Sequence, residues 1–139
     1  MREIVFRGKN AVTGKWIHGN LLTEQHENAP VGAWILPDAL YTEILVDPCT
    51  VGQYIGLRDK TGARIFEGDI LRWEFEDGEP EIAEVTWRDD GPEGVGWYIR
   101  SIRPFPGLDI LCSGDSEWEV IGNIYDNPEL LEEKPHETN

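Results

Sequence analysis

Apolar and polar residues alternate along much of this chain with the two-residue period of β-strands that cover one face. Ile82-Ala83-Glu84-Val85-Thr86-Trp87 follows that period almost without fault. Ile70–Phe75, Trp97–Ile102, Leu108–Leu111 and Trp118–Ile121 read as further strands. Near the start, Ile4–Arg7 and Lys15–Leu22 flank a Thr13-Gly14 turn and predict an opening hairpin. Ala33–Leu36 and Tyr41–Val46 follow, the latter strand-like because Ile44 and Val46 are β-branched. Polar stretches punctuate the pattern at Thr23–Gly32, Glu76–Pro80, Asp89–Gly94 and Ser113–Asp115, and Asp89–Gly94 is expected to be the most mobile loop. Many short strands joined by turns are the pattern of a small sandwich or barrel.

The turn chemistry is most explicit in the Val51–Ile70 stretch. Asp59 can accept a hydrogen bond from the backbone two residues on, and Gly62 can supply the positive φ that closes a hairpin loop. Gly68 and Asp69 form a second corner. Pro48 ends the strand before this block. A helical turn at Asp38-Ala39-Leu40 is compatible with the sequence, and Asn127 followed by Pro128 predicts the N-cap and first position of a short C-terminal helical turn. Fold class is therefore mainly β, α+β at most.

Composition narrows the function. With 27 acidic and 12 basic residues the net charge is −15, which argues against direct nucleic-acid binding, because phosphate contacts need clustered Lys and Arg. Six tryptophans and 40% apolar residues supply the surface for a folded core. Cys49 and Cys112 are too few for a disulfide framework and are expected to be free and buried. Neither a signal peptide nor an apolar run of about 18 residues is present, which points to the cytoplasm and no membrane partner.

Four groups of residues invite a functional reading. Asp59 and Asp69 could act as acids or metal ligands, yet an Asp at a turn is already explained by bonding its own backbone. Asp59, Gly62, Gly68 and Asp69 are therefore assigned to turn structure, with Asp69 the one that could also aim outward. Glu74, Glu76, Asp77, Glu79, Glu81, Glu84, Asp89 and Asp90, with Glu93 beyond them, form a dense acidic band. Carboxylates two residues apart on a strand share a face, so this band is either solvated or a surface for a basic protein. Arg2, Arg7, Lys9 and Lys15 make the N-terminus the most basic part, either as charged strand edges or as a self-association surface. Trp73, Trp87, Trp97 and Trp118 belong mainly to the core, with one or two free to line a peptide groove. His18, His26 and His136 have no ligand spacing, and no catalytic, cofactor or metal motif is present.

The Val51–Ile70 block and Val120–Leu131, together with Met1–Arg7 and Val46–Tyr54, resemble the YopX-like family of phage and prophage proteins. Residues 76–111 follow the family more loosely. The resemblance implies an SH3-like β-barrel and a phage-encoded accessory protein, in a family with no established activity and no catalytic residue to carry over. On that basis residues 1–131 form one domain, with an N-terminal sheet at 1–48 and the barrel at 49–131, before a disordered acidic tail at 132–139. The expected role is non-enzymatic: a self-associating module that binds a basic host or phage protein. Two alternatives stand beside it, an acidic mimic of nucleic acid that occupies a DNA-binding protein, and a metal-assisted hydrolase using Asp69 with carboxylates of the acidic band.

Overall fold

The computed structural model describes residues 3–24, 32–37, 42–74, 78–91, 94–101 and 118–132. Ten strands appear among them, β1 Phe6–Lys9, β2 Trp16–Glu24, β3 Gly32–Leu36, β4 Ile44–Val46, β5 Gly52–Arg58, β6 Arg64–Phe66, β7 Asp69–Trp73, β8 Glu81–Gly91, β9 Gly94–Ser101 and β10 Glu119–Asn123. They form two antiparallel sheets, ordered β4-β3-β2-β1-β5-β6 and β10-β7-β8-β9. The only helical pieces among the described residues are two 3-10 turns, Pro48–Thr50 and Pro128–Leu131. No helix among them is long and apolar enough to cross a membrane.

The mainly-β reading therefore holds. Neither sheet closes on itself, so the described residues do not display an SH3-like barrel. The short C-terminal helical turn is a 3-10 turn, and Asn127 precedes it without the capping hydrogen bond expected of its side chain. Two compact units divide the chain, Met1–Gly56 and Leu57–Asn139. Asp38–Leu40, Leu108–Leu111, Cys112 and nearly all of the 132–139 tail lie outside the described residues.

In the first unit Ala33, Ile35 and Val46 make the buried centre, with Phe6, Ile17, Leu21 and Val51 packed around it. β1 lies beside β2 and β5, and Gly8 lets β1 come close: a Cβ there would sit 3.1 Å from Val46. The Pro48–Thr50 turn is fixed at both ends. Asp47 Oδ1 accepts from the Cys49 N–H at 3.0 Å, while the Thr50 hydroxyl accepts from the Lys9 N–H at 2.9 Å and donates to the Asp47 carbonyl at 2.7 Å. Cys49 is exposed on this turn, contrary to the expectation of a buried thiol, because the 3-10 geometry directs the buried position to Thr50.

In the second unit Ile65, Phe66, Ile70, Leu71, Ala83, Val85, Tyr98, Ile99 and Trp118 are buried. β8 and β9 are longer than the sequence suggests, with Gly91 opposite Gly94, so Asp89-Asp90-Gly91 is strand rather than loop. The ladder tolerates this by a register shift between Arg88 and Gly91, which absorbs residues of poor strand propensity.

Candidate functional site

The best-determined polar group is Asp59. Its Oδ1 accepts from the Thr61 N–H at 2.8 Å, the Thr61 hydroxyl at 2.7 Å and the Ala63 N–H at 2.9 Å, and its Oδ2 accepts from the Val120 N–H at 2.9 Å. The Lys60 N–H adds a bond to the Trp118 carbonyl at 3.0 Å. One carboxylate thus closes the hairpin loop and fastens it to β10. Burial alone would raise its pKa, but the bonds from Val120, Thr61 and Ala63 together outweigh burial and hold it below its ordinary value. Gly62 closes the loop at φ 93°.

Asp69 is 1% exposed and its Oδ2 accepts from the Phe66 N–H at 2.7 Å, so it faces into the fold. Between them Gly68, at φ 88°, donates to the Val85 carbonyl and accepts from the Ile124 N–H, both at 2.9 Å. Both aspartates are therefore used by the fold. Among the described residues no group of three or more His, Cys, Asp or Glu gathers to hold a metal ion.

The acidic band does not form one ribbon. Glu74, Glu79, Asp89 and Asp90 are exposed, and Glu84 is half-buried opposite Ile70 and Arg100. Glu81 is 5% exposed and falls on the covered side of β8 with Ala83 and Val85, so it leaves the proposed face. Glu76 and Asp77 lie outside the described residues. The basic group is also divided. Arg7 is 8% exposed with its guanidinium 4.7 Å from the Trp16 ring centre, so packing removes it from the expected self-association surface. Lys9 sits 5.5 Å from the same ring, Lys15 is exposed, and Arg2 lies outside the described residues.

The tryptophans separate into two edge-to-face pairs. Trp73 and Trp118 have ring centres 5.2 Å apart, and Trp118 is buried. Trp87 and Trp97 are 4.9 Å apart at 71°, and Trp87 is 48% exposed. The sequence reading missed one structural corner altogether. Asn123 Oδ1 accepts from the Tyr125 and Asp126 N–H groups at 3.0 and 2.9 Å, while Asn127 Oδ1 accepts from the Asn123 N–H at 3.3 Å. Two asparagines four residues apart beside a glycine were the available signal.

The sequence matches the family described as YopX protein over residues 5–132. The chain belongs to the YopX family. It is similar to protein EF1440 from Enterococcus faecalis, a crystal structure that superimposes with a TM-score of 0.56 at 23% identity, covering 95% of this chain and 100% of that one. At that identity the likeness shows a shared fold. No curated protein matches the chain. In this YopX-family protein the match takes in both the Asp59 clasp and the Asn123–Asn127 corner. Both lie in the stretches where the sequence carries the resemblance.

Proposed function

We propose that this YopX-family protein is a phage- or prophage-encoded, cytoplasmic accessory protein that binds a basic protein partner without catalysing a reaction. The reading rests on a division among its carboxylates. Asp47, Asp59 and Asp69 are committed to backbone N–H groups, whereas Glu74, Glu79, Asp89 and Asp90 are exposed, Glu74 and Asp90 while also paired with Arg72 and Arg88. Presented charge of one sign steers association with a partner of the other. Self-association through Lys9 and Lys15 belongs to the same reading. The hydrolase alternative loses support because Asp69 is buried and engaged. The mimic of nucleic acid loses support with Glu81, one carboxylate of the strip it would need.

The test is capture of a partner by tagged wild-type chain at low salt, beside a variant carrying Glu74→Gln, Glu79→Gln, Asp89→Asn and Asp90→Asn. The variant is expected to lose a stoichiometric, nuclease-resistant partner that the wild type releases at high salt. Equal capture by both chains overturns the role of these carboxylates.

A further inference from the structure

The covered face of the β10-β7-β8-β9 sheet runs out into solvent at one end. Along β8 that face carries Ala83 and Val85, both buried, then Trp87 at 48% exposure. Along β9 it carries Ile99, buried, then Trp97, then Val95 at 65% exposure. Trp87 stands directly opposite Trp97, and the two rings meet edge to face. Large apolar side chains that begin as core and end uncovered mark a place where something else packs.

Charge says what kind of group that is. Arg88 and Asp90 pair at 3.6 Å, and the Arg88 guanidinium lies 5.4 Å from the Tyr98 ring centre, so Asp90 already has a cation from its own chain. The register shift between Arg88 and Gly91 sets Asp89 and Asp90 opposite Val95, the residue that ends the exposed apolar row. Asp89 is exposed and has no hydrogen bond or ion pair among the described residues. An indole face beside a carboxylate without a cation is the chemistry that receives a guanidinium, which stacks on the ring and donates paired hydrogen bonds to the carboxylate. Among the described arginines, Arg58, Arg64, Arg72 and Arg88 are engaged within the chain, Arg7 is buried, and Arg100 stands opposite Glu84 rather than at the tryptophan pair.

We infer that Trp87, Trp97, Val95 and Asp89 form a docking surface for an arginine-bearing, basic segment of a different protein. This deepens the reading of a basic partner and rests on it. The arginine stacks on Trp87 and pairs with Asp89, while Val95 and Trp97 take the apolar part of its stem.

Titration of the full chain with a nine-residue peptide of alternating glycine and arginine, followed by calorimetry, tests the inference. The same peptide with citrulline in place of arginine keeps the shape and removes the charge. Trp87→Ala and Asp89→Asn are each expected to weaken binding about three- to tenfold. Glu43→Gln, an exposed carboxylate of the first unit, is expected to leave binding unchanged. The citrulline peptide should not bind. Equal weakening by Glu43→Gln, or equal binding of the citrulline peptide, overturns the inference. If the arginine peptide binds but both hairpin variants bind it as wild type does, this surface is wrong and the acidic-surface reading survives. If no arginine peptide binds and the wild-type chain captures no basic protein, both fall. A dimer that forms without peptide and is lost on Trp87→Ala gives the surface to a second copy and also overturns the inference.

Discussion

At the scale of single residues, the molecule depends on side chains that satisfy buried backbone donors. Asp59 serves three N–H groups and a hydroxyl, all part-buried, so Asp59→Ala removes four hydrogen bonds at once and should lower unfolding free energy by about 3 kcal/mol. Chemical denaturation against wild type measures it. Because the folded pKa lies below the unfolded one, the unfolded chain binds more protons in the acid range. The stability from this carboxylate is therefore complete above the unfolded carboxylate range and is lost as pH falls through the folded value. The gap between wild type and Asp59→Asn should be constant near neutrality and shrink below about pH 4 in melts followed by tryptophan fluorescence. Glycines separate by surroundings. Gly62 and Gly68 share a positive φ, but a Cβ at Gly62 meets nothing within 4 Å, whereas at Gly68 it meets Tyr125 at 3.2 Å. Gly62→Ala should cost about 1 kcal/mol, and Gly68→Ala should cost more by the same denaturation experiment.

The Asp59 and Gly62 roles were legible because turn chemistry is local: an Asp at the first corner and a glycine three residues on specify the loop without tertiary information. Arg7 was not legible. It lies against Trp16 only because β1 and β2 pair Lys9 with Trp16, a register that composition does not announce. Glu81 could have been assigned to the covered side by continuing the Ala83 and Val85 period backwards, but its charge paired it with Glu79 instead.

At the scale of elements, strand positions followed from alternation, and their ends were harder to place. β8 passes through Asp89 and Asp90, residues that favour turns, because a partner strand and a bulge override local preference. The C-terminal corner shows the reverse case, in which a local motif decides the path. A Cβ at Gly122 would stand 2.5 Å from Asn127 Oδ1, so the glycine makes room for the asparagine that bonds Asn123. Gly122→Ala should therefore destabilise wild type by about 1–2 kcal/mol, and by clearly less in an Asn127→Ala background. A double-mutant cycle in urea reads that coupling, and additive effects would mean that the two residues act independently.

At the scale of the whole molecule, the net charge is −15, and among the described residues the exposed carboxylates are dispersed rather than gathered into one ribbon. That difference could not be read from spacing, since it turns on which side of β8 each residue occupies. With Arg7 buried, Lys9 and Lys15 remain as the described residues of the expected self-association surface. Static light scattering at high protein concentration is expected to give a mass above 15.8 kDa at low salt, falling as NaCl screens the attraction. A monomer at low salt defeats that expectation.

The bond from the Val120 N–H to Asp59 joins residues 61 apart in sequence, and the one from the Lys60 N–H to the Trp118 carbonyl lies beside it. During synthesis the hairpin loop emerges long before either partner exists. Closing so wide a loop is slow, and the exposed Asp59 loop must wait for it. A nascent chain stalled short of Trp118 is therefore expected to hold the second unit open to protease, and release of a few more residues to close it. For this protein the arrival of β10 is the step that completes the fold of the second unit.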